Sequence, residues 1–95
     1  MRYGVEFDWD DHNDKHLAKH GISRLDAGDV LSGNHILLEY QMEGDEERWI
    51  AVGATRPGRI LEIVFAVRGE AIRPITGWPA GKEMYDDFVR EWGLK

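Results

Sequence analysis

Ninety-five residues, no cysteine and a formal net charge of −6 allow one domain, residues 1–95. They exclude a disulfide framework, a thiolate metal site and a cysteine nucleophile. Hydrophobic residues make up 42% and charged residues 32%, which is too apolar for a disordered chain, and no apolar run approaches the roughly 20 residues that cross a bilayer. An acidic balance argues at first against a nucleic-acid partner, because phosphate binding is driven by an excess of cations.

The opening MRYGVEFDWDD turns acidic at once and has no apolar signal stretch, so the expected location is the cytoplasm. Val5 to Trp9 alternates apolar and acidic residues, the pattern of a short strand. Asp10 or Asp11 can cap a helix running to about His20, because a short carboxylate accepts from the free N–H groups of the first turn. Gly21 stops that helix in the position where a positive φ costs glycine little. Ser23 starts a second helix, with Asp26 three residues on to complete a capping box and Ile22 before it as a staple. Leu25, Gly28 and Leu31 share its inner face, and Ser32-Gly33-Asn34 ends it.

Strands follow over Ile36–Met42 and Arg48–Thr55, joined by an acidic turn at Glu43–Glu46. Arg56-Pro57-Gly58-Arg59 carries the next turn, with proline presetting φ and glycine supplying a free one. Ile60–Arg68 is apolar on both of its alternating faces, the mark of a central strand. Gly69-Glu70 turns the chain into a fourth strand, Ala71–Trp78, where Pro74 cannot donate to a ladder and so marks an edge or a bulge. A last helix spans Gly81–Trp92 with Met84, Tyr85, Phe88 and Trp92 placed to pack on the sheet, and Gly93 ends it. The predicted fold is α+β: a two-layer domain with an antiparallel four-stranded sheet, plus the short N-terminal strand, packed against helices.

The net charge hides an asymmetry. Residues 1–47 hold four Lys/Arg against twelve Asp/Glu, and residues 48–95 hold eight against six. Between positions 48 and 73 the cations are all arginine: Arg48, Arg56, Arg59, Arg68 and Arg73, opposed only by Glu62 and Glu70. The planar guanidinium fits phosphate oxygens bidentately, so an arginine-bearing face keeps RNA binding open in an acidic chain.

Phe7-Asp8-Trp9-Asp10, Asn13, and Leu17-Ala18-Lys19-His20-Gly21-Ile22-Ser23 together resemble the N-terminal signature of BrnT-type toxins. Gly44-Asp45-Glu46-Glu47-Arg48, Gly53, the Leu61–Arg68 strand and Ile72-Arg73-Pro74-Ile75-Thr76 resemble the rest of that family's sheet, so the resemblance spans nearly the whole chain. It implies a RelE-like fold and a ribonuclease toxin that needs no metal or other cofactor. It also implies a neutralising ribbon-helix-helix antitoxin, with operator DNA contacted only through that antitoxin. The chain departs from the family pattern after Thr76. It reads Gly77-Trp78-Pro79-Ala80-Gly81-Lys82, where the family continues with Ala-Arg and further basic residues.

RNA cleavage without a metal requires a base for the 2′-hydroxyl, cations for the crowded phosphorane and an acid for the leaving oxygen. Arg68 and Arg73, joined by a short turn, make a phosphate clamp; alternatively one of them pairs with Glu70 or Glu62. Thr76 offers a hydroxyl to a phosphate oxygen or is simply a good strand residue. Lys19 offers a phosphate contact and His20 an acid–base group, His20 alternatively serving the helix end, where a cation favours the dipole. Arg48 and Lys82 are further RNA-binding candidates. Trp78 can stack on a base or bury part of its ring. His12, His16 and His20 repeat every four residues; adjacent pairs can chelate zinc or nickel, but three span too far for one ion, and a polar stripe with no metal is the preferred reading. A second functional class stays open: a toxin-like binding domain that keeps its partner surface and has no nuclease activity.

Overall fold

The computed structural model describes residues 6–43 and 46–92, with side chains for all of these except 39–43. In chain order the elements are β1 (Glu6–Phe7), α1 (Asp11–Lys19), α2 (Arg24–Ser32), β2 (His35–Glu43), β3 (Glu46–Ala54), β4 (Ile60–Arg68), β5 (Ala71–Pro79) and α3 (Lys82–Trp92). The interior of the turn predicted over Glu43–Glu46 and the helix stop at Gly93 lie outside the described residues.

Local chemistry sets both helix starts. Asp10 sits in extended backbone and its Oδ1 accepts from the Asn13 N–H at 3.1 Å, which caps α1. Gly21 follows α1 at φ +71°, the left-handed region where a Cβ is strained. Ser23 and Asp26 form the predicted capping box, each side chain accepting from the other's backbone N–H at 3.1 Å.

The sheet order is β1-β5-β4-β3-β2. The strands β2 to β5 form an antiparallel meander, as expected, but β1 is a full neighbour of β5 and runs parallel to it, with Glu6 opposite Ala71 and Phe7 opposite Ile72. The sheet is therefore five-stranded and mixed rather than four-stranded and antiparallel. At Pro74 the ladder skips: Val64 faces Thr76 and Phe65 faces Pro74, leaving Ile75 as an extra residue. The bulge answers the missing N–H of proline.

Residues directly opposite in a ladder point to the same face. Leu61, Ile63, Phe65 and Ala51 face one way and pack with Leu17 of α1, Ile22, and Ala27, Val30 and Leu31 of α2. Val52 and Ile60 face the other way and pack with Phe88 of α3, joined by Met84, Ile36 and Leu38. Helices thus cover both faces, and the expected two layers are three. The amphipathic pattern of α3 says that one of its faces is buried, but not which side of the sheet receives it. Leu25, predicted on the inner face of α2, is instead 65% exposed. The buried stripe of that helix is Ala27, Val30 and Leu31.

Candidate functional site

Only the Ile60 end of the second face carries α3; at the opposite end three arginines converge. Arg48 on β3 and Arg73 on β5 both face Ala66 of β4, and Arg68 lies two residues further along β4. Ala66 is fully buried, and its small side chain leaves room between the two flanking arginines. With strands roughly 4.8 Å apart, the backbones of Arg48 and Arg73 are about 10 Å apart. The result is a cavity of about 230 Å³ lined by Arg48, Arg68, Arg73, Glu46, Ile75, Asp10, His12 and Asn13. The Pro74 bulge places Ile75 in its wall, and the first turn of α1 supplies His12 and Asn13.

The three guanidinium groups are held differently. Arg73 is mostly covered and grips the N-terminal segment, its Nε and Nη2 donating to Asp8 Oδ2 at 3.2 and 3.0 Å and its Nη1 to Asp10 Oδ2 at 3.0 Å. The Asp8 bond above all, and then the nearby charges of Asp8 and Asp10, raise its pKa. The Asn13 N–H, chiefly, and the Arg73 charge hold the Asp10 carboxyl below its usual value. Arg68 is half-exposed and donates through Nε and Nη2 to Glu46 Oε2 at 3.0 and 2.9 Å. Arg48 Nη2 lies 3.5 Å from the other Glu46 oxygen. One carboxylate, Glu46, therefore bridges two cavity arginines.

The sequence brings Arg68 and Arg73 together, and the structure agrees. Their partners are neither Glu70 nor Glu62, the nearest acids in sequence, but Glu46, Asp8 and Asp10. Lys19 and His20 do not reach this cavity; they close the far end of α1, about 13 Å along its axis from Asp11. His20 there forms the helix cap, its backbone N–H donating to the Leu17 carbonyl while the Gly21 N–H donates to that of Ala18, and its ring meets Trp78 edge-on at 6.4 Å. Thr76 and Trp78 share the arginine face, opposite Val64 and Glu62, but lie further along β5 than the cavity. Lys82 opens α3 and donates to Asp86 at 2.8 Å, which raises its pKa. Arg56 and Arg59 sit at the β3–β4 turn and bind Asp29 and Asp26 of α2.

Two cavity residues, His12 and Asn13, carry no role in the sequence reading beyond the helix stripe and the family signature. The available signal was their place in the turn that Asp10 caps. The stripe itself divides: His12 and His16 approach with Nε2 atoms 3.2 Å apart, while His20 turns toward Trp78. No group of three or more metal-ligating side chains occurs among the described residues.

The fold is an α+β domain whose mixed sheet gathers arginines from three adjacent strands beside an imidazole. Residues 9–83 match the family described as ribonuclease toxin, BrnT, of type II toxin–antitoxin systems, and the chain belongs to that family. All eight cavity residues fall within the matched span. Comparison with curated proteins gives no match. An antitoxin protein is therefore its family's partner, and no helix among the described residues is long and apolar enough to cross a membrane.

Proposed function

We propose that the chain is a cytoplasmic, metal-independent endoribonuclease toxin and that the scissile phosphate of RNA sits in the arginine cavity. The observation that carries this reading is the convergence of Arg48, Arg68 and Arg73 on one cavity walled by His12. In the reaction the 2′-oxygen attacks the adjacent phosphorus while the bond to the 5′-oxygen breaks, leaving a cyclic phosphate and a free 5′-hydroxyl. Guanidinium groups aimed at the phosphate oxygens stabilise the charge that builds there. Arg68 and Arg48 do this once phosphate takes the place of Glu46. Arg73, fixed by Asp8 and Asp10, holds the first turn of α1 against the sheet and adds its charge from below. The His12 imidazole serves one of the two proton transfers, taking the 2′-hydroxyl proton or protonating the leaving 5′-oxygen, and water serves the other. Thr76, Trp78, Lys19, His20 and Lys82 meet flanking nucleotides rather than the reacting phosphate, with Trp78 as a stacking platform. The neutralising partner is a ribbon-helix-helix antitoxin, and operator DNA is reached only through it.

The test is cleavage of RNA by the purified chain in excess EDTA. Losing one charge-assisted contact costs about 1.5–3 kcal/mol, so Arg68→Ala is expected to lower kcat/KM by roughly 10- to 150-fold. Full activity in both Arg68→Ala and His12→Ala would refute the site. A second reading, a partner-binding domain without nuclease activity, draws on the carboxylate already seated on each arginine. Antitoxin binding with no cleavage by clean protein would decide for it.

A further inference from the structure

We propose that His12 and His16 form a transition-metal site on α1, and that an ion bound there ties up the His12 imidazole beside the arginine cavity. The two rings lie one helical turn apart and meet nearly at right angles, with centroids 4.8 Å apart and Nε2 atoms only 3.2 Å apart. The nitrogens are closer than the ring centres, so the Nε2 edges face each other. Two Zn–N bonds of about 2.05 Å at a tetrahedral angle place their nitrogens about 3.3 Å apart. The helix therefore presents the bite that a zinc or nickel ion requires. One ring now donates an N–H to the other, and the ion takes the position of that shared proton. Both imidazoles must be neutral to bind it.

Nearby carboxylates are engaged elsewhere. Asp10 accepts from Asn13 and Arg73, and Asp14 Oδ2 accepts from Arg24 at 2.7 Å, while its buried Oδ1 has no hydrogen-bond partner. Water completes the coordination sphere, and the ligand class is a borderline divalent ion, Zn²⁺ or Ni²⁺, rather than Mg²⁺ or Ca²⁺. His12 lines the arginine cavity and His16 does not. An ion on the pair removes the His12 nitrogen from proton transfer, so it inhibits the chain. That consequence rests on the proposed ribonuclease reading; the binding itself does not.

Calorimetric titration of the tag-free, full-length chain with ZnCl₂ and with NiCl₂ tests the site. One ion per chain is expected. His16→Ala should weaken binding at least tenfold, and His20→Ala, on the same helix but outside the pair, should leave it unchanged. Zn²⁺ should inhibit RNA cleavage by the wild-type chain and spare His16→Ala, which keeps His12. No binding, unchanged binding in His16→Ala, equal loss in His20→Ala, or half an ion per chain would overturn the proposal. The calorimetry decides the site whether or not the chain cleaves RNA.

Discussion

Leu17 is the one buried residue of α1, and that helix carries His12 and Asn13 into the cavity wall. It is 1% exposed and packs in the cluster that joins α1 and α2 to β4. Leu17→Ala removes three carbons, which at about 0.8 kcal/mol each returns roughly 2.4 kcal/mol of burial. The hole left behind adds to this, because the surrounding sheet relaxes only in part, and the expected loss is about 3–4 kcal/mol. For a chain of this length each kcal/mol lowers Tm by about 4–8 °C, so a fall of roughly 12–30 °C is expected. Thermal unfolding followed by circular dichroism gives the shift, and urea unfolding gives the free energy, provided the two transitions coincide. Cleavage measured well below the lowered Tm should also drop, since α1 is then less firmly seated and His12 with it. A Tm within about 4 °C of the parent would refute the argument, because it would mean that α1 is held by its polar contacts rather than by Leu17.

Ser23→Ala removes the hydroxyl of the capping box and should cost about 1 kcal/mol, read as a Tm lower by several degrees, with RNA cleavage unaffected. Glu46→Gln keeps the shape of the side chain that bridges Arg68 and Arg48 but removes its charge. Tighter RNA binding and a steeper fall of affinity with salt are expected, checked by fluorescence anisotropy across a NaCl series.

What the sequence made legible is what neighbours in sequence decide. The Ser23–Asp26 box, the Asp10 cap, the glycine stop at Gly21 and the alternating Ile60–Arg68 strand each depend on residues within a few positions, and each is found where expected. The misses all depend on contacts across the chain. Parallel pairing of β1 with β5 joins Glu6 to Ala71, and no local pattern announces it. The partners of Arg73 lie 63 and 65 residues away, so the nearby Glu62 and Glu70 looked better placed than they are. His20 drew attention through its motif, yet the helix axis carries it away from the sheet's arginines, and His12 at the other end arrives instead. The arginine cavity was half legible: alternation and a short turn bring Arg68 and Arg73 together, but Arg48 joins them only through the register of β3 on β4.

The charge asymmetry has a structural meaning that the net value conceals. Each of the five arginines between positions 48 and 73 has an ionic partner in residues 1–47: Asp8 and Asp10, Asp26, Asp29 and Glu46. The acidic half neutralises the arginine half inside one molecule, so a net charge of −6 does not set the potential at the cavity. These pairs differ in what a phosphate can displace. Arg73 holds two carboxylates in a mostly covered position, and releasing it would detach the start of α1. Arg68 is half-exposed on a single carboxylate, and surface pairs of that kind contribute only about 0.2–1 kcal/mol. On the proposed ribonuclease reading, a phosphodiester carries the same single charge as Glu46 but gains charge on its oxygens in the transition state, so it takes Arg68 from this weak pair and leaves Arg73 where it is. Substitutions should separate accordingly: Arg73→Met lowers stability along with activity, whereas Arg68→Ala lowers activity at nearly unchanged Tm. Equal Tm losses in the two variants would show that the exchange assigned to Glu46 does not occur.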